Sequence, residues 1–248
     1  MIKFFRKIRY DLMEKNKTGK YLKYAIGEII LVVIGILIAI QLNEWRNDSI
    51  NTKQKQKVLL ALKLDFEENL KQLDGKIENQ EKSFWKFRKT RDLIDSINDI
   101  TDNTVLKENL GHGGYADSFN PFNGALRSAI SSGDIHLIKG EPLTKLLFTW
   151  EDLVIDSYEE IELLVSYGSD PYYRLIHSYT QARDIAKKIP NDKGSKHSSN
   201  FVGLFRDPLF ENYTQQMFYY SNNYIRELKK IRLNNLEILK LIEQELKK

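Results

Sequence analysis

The sequence of 248 residues predicts an all-α protein: one N-terminal transmembrane helix followed by an antiparallel helical bundle with two long, coiled-coil-like helices. Three observations predict it. Residues 29–40 are all apolar or glycine. Two long stretches repeat apolar residues at spacings of three, four or seven, the period of one helix face. Four of the five prolines stand where proline opens a helix, and strand signals are nearly absent.

Taken in order, residues 1–23 form a basic tail. Eight Lys and Arg residues there face only Asp11 and Glu14, so the formal +4 of the chain belongs to the tail and the remainder is slightly acidic. A nearly neutral domain gives no support for nucleic-acid binding. Within residues 2–13, Ile2, Phe5, Ile8 and Leu12 recur at helical spacing among basic residues. That pattern suits an interfacial helix, with Lys3, Arg6, Lys7 and Arg9 toward anionic headgroups. It equally suits a short tail that only sets topology. Residues 16–19, NKTG, read as a turn.

Residues 24–42 are the span. Their length matches a hydrocarbon core of ~30 Å, and the Ile, Leu and Val residues favour insertion by roughly 3–6 kcal/mol. Lys20 and Lys23 precede the span, and Trp45 follows it as a headgroup-level indole. Basic residues mark the cytoplasmic side, so residues 43–248 are expected outside. A cleaved signal peptide is the rival reading. Its apolar region would be shorter, and Ala39-Ile40-Gln41 is a poor cleavage site, which favours an uncleaved anchor.

The first long seam runs through Leu59, Leu62, Phe66, Leu70, Leu73, Ile77, Phe84, Phe87, Ile94 and Ile97, with Gln80 and Arg91 in the two vacant places. It predicts a helix of some forty residues with Gly75 inside it. Residues 99–119 read as a polar, glycine-containing loop. Asn120-Pro121, Glu141-Pro142, Asp170-Pro171 and Asp207-Pro208 then announce helices near 121, 142, 171 and 208. Gly133 and Gly168 fit C-terminal caps, and Pro190 a helix end. Residues 190–206 read as polar and mobile. The last seam is Phe210, Tyr213, Met217, Tyr220, Tyr224, Leu228, Ile231, Ile238 and Ile242, with Asn235 in one core-like place. The two long helices are expected to pair antiparallel, with three central helices capping or flanking them.

The start, MIKFFRKIR with KYLKYAIGEIILVVIGILIAIQLNEW, resembles an uncharacterised family of small membrane proteins common in Bacteroidota. The stretch from Phe119-Asn120-Pro121 through Ser132-Gly133 to Leu137-Ile138 is similar to that family's F-x-P…SG…LI pattern. The resemblance implies the inner membrane of a Gram-negative cell with the helical domain in the periplasm. It implies no activity.

Within the span, Glu28, Val32, Gly35 and Ala39 share one side, with Asn43 nearby. Gly35 and Ala39 are a small-xxx-small pair that lets helices approach closely, which points to a second copy or another membrane subunit. A lone lipid-facing helix with Glu28 near the interface is the plainer account, and an ion path through Glu28 the sharper one.

Catalytic signals are poor. His112, His136, His177 and His197 lie far apart, and residues 111–114, GHGG, lack the strand and Lys-Ser/Thr of a phosphate loop. No cofactor or metal is expected. Acidic pairs such as Glu67-Glu68 and Glu159-Glu160 read as solvated faces. Tyr173, Arg174 and His177, with Tyr172 and Tyr179, could line a small-ligand pocket, as could Phe218, Tyr219 and Tyr220; a core or helix interface is the favoured reading of such residues. The loop at 99–119 and residues 131–139 are further contact surfaces. The expected role is a non-enzymatic membrane-anchored scaffold or accessory subunit, with a periplasmic small-ligand sensor as the alternative.

Overall fold

A computed structural model describes Tyr10 and residues 18–100, 102–110, 116–138, 141–186 and 193–247. The expected interfacial helix at 2–13, the glycines at 111–114 and Pro190 fall outside these residues, apart from Tyr10. Among the described residues every regular element is helical.

Helix α1 spans Thr18–Asp95, 78 residues. The sequence predicts a turn at 16–19, a span and a separate long helix in this stretch. Instead Thr18 and Gly19 open the helix, and it continues through residues 43–58. Nothing there interrupts it, because no proline or glycine occurs between residues 36 and 74. By contact the chain divides into two compact units, Met1–Gln56 and Lys57–Lys248, and α1 contributes to both.

In the first unit α1 is unaccompanied: every residue from 29 to 53 is exposed. This stretch is long and apolar enough to cross a membrane.

The second unit holds the rest of α1 and α2 (Asn103–Asn109), α3 (Gly124–Ser131), α4 (Glu141–Tyr167), α5 (Asp170–Tyr179), α6 (Ala182–Ile185), α7 (Phe201–Phe205) and α8 (Pro208–Leu246). Helices α1 and α8 run antiparallel here. Lys63 pairs with Glu243 at 3.0 Å, Asp74 with Arg232 at 2.5 Å and Glu81 with Lys229 at 2.6 Å, in reverse order along the two helices. Between them the expected seams close. Leu59, Leu62, Phe66 and Leu73 of α1 and Leu228, Ile231 and Ile238 of α8 are buried, each worth about 1.5–3 kcal/mol. Gln80 donates to Ser221 Oγ at 2.9 Å, and the Arg91 guanidinium lies 4.7 Å from the Phe218 ring, so one vacant seam place holds a hydrogen bond and the other a cation–π contact.

Helix α4 is a third long member rather than a cap. Its 27 residues pack along α8. Trp150, fully buried, meets Phe66 of α1 edge-on at 4.8 Å, and Tyr167 meets Tyr213 and Tyr220 of α8.

Three further expectations change. The supposed loop at 99–119 contains α2, whose N-terminal N–H groups are capped by Asp102 and whose Leu106 is buried with Leu110. The supposed mobile segment at 190–206 contains α7, capped by Asn200, with Phe201, Leu204 and Phe205 buried. Ile97 lies beyond the end of α1 in a 3₁₀ turn, Ile97–Asp99. These pieces join Ile94, Tyr172, Ile176 and Phe210 in a second, smaller core. Asp184 ties the chain before α7 to it, accepting from Ser199 Oγ at 2.6 Å and Ser195 N at 3.2 Å. Those bonds, the Ser199 hydroxyl first, hold its carboxyl below the usual carboxylate value.

Of the four proline signals, Pro208 behaves as expected: Asp207 Oδ1 accepts from Leu209 N at 2.8 Å and proline opens α8. Pro142 and Pro171 each sit in a first turn, but Glu141 and Asp170 are themselves helical. Asn120-Pro121 caps nothing. The helix begins three residues later, at Gly124, after a non-helical approach. Gly133 does follow α3 in the left-handed conformation, φ +79°, and Gly168 N closes α4 on Leu164 O.

Candidate functional site

The residues singled out in the sequence do not converge. Val32, Gly35, Ala39 and Asn43 are exposed and Glu28 is half-buried; no neighbour comes within 4 Å of where a Cβ on Gly35 would stand. Lys23 and Trp45 are exposed on α1, the Lys20 side chain is not described, and Lys3, Arg6, Lys7 and Arg9 lie outside the described residues. On α5 the aromatic group divides. Tyr173, Arg174 and His177 face outward, Arg174 bonded to Asp170 at 2.6 Å. Tyr172 is buried on the other side, and burial raises its hydroxyl pKa. Tyr179 donates to Asp207 Oδ2 at 2.8 Å. His136, His177 and His197 are exposed on separate elements, and among the described residues no three metal-binding side chains cluster.

Convergence occurs instead at residues 116–125, a strap laid across the three long helices. A non-helical segment in a packed site must find partners for its own N–H and C=O groups. Here α1 supplies them. Asn69, fully buried, accepts from Phe122 N at 2.7 Å and donates to Phe122 O at 2.9 Å. Gln72 Oε1 accepts from Asn120 N at 3.0 Å, and Lys76 binds the Asp117 carboxylate. Asp65 Oδ2 accepts from Ala125 N at 2.8 Å, so the first turn of α3 is capped from another helix. Its own N-cap, Asn123, is otherwise engaged: Asn123 Oδ1 accepts the indole N–H of Trp150 at 2.9 Å.

The other helices complete the clamp. Tyr158 Oη lies 2.9 Å from Phe119 O and 3.1 Å from Asn120 Oδ1, its single proton serving one at a time. Tyr224 donates to Asp117 O at 3.0 Å, and burial raises its pKa. Phe119 itself is buried against Trp150, with ring centroids 6.1 Å apart.

This network was missed in the sequence, yet it left a mark. Asp65, Asn69, Gln72 and Lys76 recur at helical spacing beside the apolar seam, a polar stripe parallel to the core.

Beside the strap is a cleft of about 260 Å³, lined by Asn120, Asn123, Arg127, Glu151, Ile155 and Tyr158 among others. Arg127 and Glu151 approach to 3.5 Å at its rim. The site offers amide, hydroxyl and charged groups for recognition. The hydroxyls of Tyr158 and Tyr224 bond to the backbone carbonyls of Phe119 and Asp117.

No curated protein and no solved structure matches the chain significantly. A model of a family of unknown function, DUF6090, matches residues 28–178, a segment that takes in the apolar stretch, the strap and α4. That is more than half of the chain, and the protein belongs to this family.

Proposed function

We propose that the protein is a non-enzymatic, membrane-anchored scaffold or accessory subunit whose helical domain binds a partner. The observation that carries the reading is the contrast within α1: residues 29–42 expose eleven large apolar side chains, whereas Leu59, Leu62, Phe66, Leu73, Ile77 and Phe87 further along are buried in a core. So large an apolar surface is stable only in lipid or against another apolar helix. With the basic tail held in the cytoplasm, residues 43–248 lie in the periplasm of a Gram-negative inner membrane. The Glu28, Val32, Gly35 and Ala39 side of the span then meets a second copy or another subunit, as close approach at Gly35 and Ala39 permits.

The chain contains no cysteine, so single cysteines report cleanly. A cysteine at Lys248 should react with an impermeant maleimide in intact spheroplasts, and one at Lys3 only after lysis. The reverse pattern ends the proposed orientation. Paired Gly35→Cys chains should crosslink in membranes, whereas Leu37→Cys controls should not. Purification in mild detergent followed by mass measurement should return more than a monomer; the bare chain alone would sink the scaffold reading.

The cleft beside the strap favours a second reading, a sensor for a small polar ligand. Stabilisation by such a ligand in the absence of any protein partner would support it over the first.

A further inference from the structure

We propose that the outer face of α4 docks a basic amphipathic helix of a partner protein. The inference rests on the reading of the chain as an anchored binding module, and it names the surface and the chemistry.

Helix α4 packs its inner side on α8 and α1 through Leu147, Trp150, Val154, Ile161 and Leu164. At about 100° per residue the opposite side carries Phe148, Ile155 and Leu163, exposed by 51%, 55% and 47%. Their spacing of seven and eight residues forms a ridge along the helix, with one apolar contact every two turns. Two hollows follow one another beside this ridge. One is the cleft of about 260 Å³ beside the strap, bounded on α4 by residues 151–158. The other is an open groove of about 840 Å³ bounded by Glu159, Glu162, Leu163 and Ser166 and, across from them, Ala116 and Ser118. A ridge with flanking grooves is the shape that receives another helix.

Charge selects the occupant. The same face carries Glu151, Asp152, Asp156, Glu159 and Glu162, and no Lys or Arg occurs between Lys145 and Arg174. Glu151 approaches Arg127 at 3.5 Å, and the other four form no ion pair among the described residues. A second copy meeting this face through the same face would set acids against acids, and an anionic lipid surface or a nucleic acid would be repelled likewise. A helix with Lys and Arg flanking an apolar ridge satisfies both the exposed side chains and the field.

A photo-crosslinking residue placed at Ile155, and separately at Leu163, in the full chain in its own membrane tests this. The control position is Lys71, exposed on α1. The expected product is an adduct at both α4 positions, mapped by peptide sequencing to a segment with Lys or Arg around apolar residues at helical spacing. The double replacement Glu159→Lys with Glu162→Lys should lower the yield about ten-fold, whereas Glu68→Lys should leave it unchanged. Glu159→Gln with Glu162→Gln should move it in the same direction, which guards against misfolding. No adduct above the Lys71 control overturns the proposal, as does an adduct to a second copy, to lipid or to an acidic segment. If a probe placed at Leu233, exposed on α8, gives adducts and those on α4 give none, the scaffold role stands and this surface is wrong. If the purified protein is the bare chain, both readings fall.

Discussion

The α1–α8 edge and the outer face of α4 are both charged, but they treat charge oppositely. Across the edge, acids and bases meet in pairs: Lys63 with Glu243, Asp74 with Arg232, Glu81 with Lys229. Within the two helices Glu78 pairs with Lys82 and Glu237 with Lys240. Lys82 also holds the Glu78 carboxyl below its usual value. On α4 the acids from Glu151 to Glu162 stand together, with Lys145 before them on the helix and Arg127 at the rim, among side chains as apolar as Phe148 and Ile155. A paired surface is finished by the fold itself. An unpaired, half-apolar surface is what a fold leaves when something else completes it.

The largest effect that sharpens this contrast comes from the two sides of one helix. Trp150→Ala removes a fully buried ring that packs on Phe66 and Phe119 and holds Asn123, and should cost about 3–5 kcal/mol. Phe148→Ala, two residues earlier and facing out, should change stability by less than ~0.5 kcal/mol. Thermal unfolding in detergent, followed by circular dichroism, reads both. A cost at Phe148 comparable with that at Trp150 would mean that the outer face is structural, and the contrast would break.

Next in size is the strap. Asn69→Ala removes both partners of the Phe122 backbone and trims a fully buried side chain, and should cost about 1–3 kcal/mol. Asn69→Asp keeps the acceptor for Phe122 N but sets a buried carboxylate oxygen against Phe122 O, and should cost at least as much as the alanine. Hydrogen exchange at Phe122 and Ala125 should quicken in both variants. If the rest of the domain loosens equally, the strap is part of the global core rather than a locally clamped segment.

Asn235 offers a gain instead of a loss. It is fully buried in the α8 seam, and neither its amide nitrogen nor its oxygen has a partner. Asn235→Leu should stabilise the domain by about 1 kcal/mol. A destabilised variant would reveal that the amide is held by ordered water.

How much of this was legible in the sequence follows from the range of the interactions. Leu59, Leu62 and Phe66 announced a helix because neighbours four residues apart share a face, and the buried seam of α8 was readable for the same reason. Asp207-Pro208 was readable because a cap acts within one turn. Asn120-Pro121 has the same local grammar and misled, since the same pair also suits an extended approach to a helix. The strap escaped notice because its partners come from far along the chain: Asn69 reaches Phe122 over 53 residues and Tyr224 reaches Asp117 over 107. Helices α2 and α7 were missed because seven and five residues are too few to show a period. Their buried Leu106 and Phe201 act through the second core, which local pattern does not display.

The smallest expected effect tests the comparison most directly. Asp74→Asn removes one half of an inter-helix pair that is partly solvent-exposed, and should cost about 0.2–1 kcal/mol, less at high salt. Asp156→Asn removes a charge that has no opposite partner and stands near Asp152, Glu159 and Glu160 along the same helix. Relief of like-charge repulsion at helical spacing should leave stability unchanged or raise it by a few tenths of a kcal/mol. The sign should reverse between the two sites, and the difference should shrink as salt is added, because screening weakens attraction and repulsion alike. Denaturant titration of the two variants at low and high ionic strength gives the answer. If Asp156→Asn proves as costly as Asp74→Asn, the α4 acids are already compensated within the folded chain. These acids would then need no basic partner.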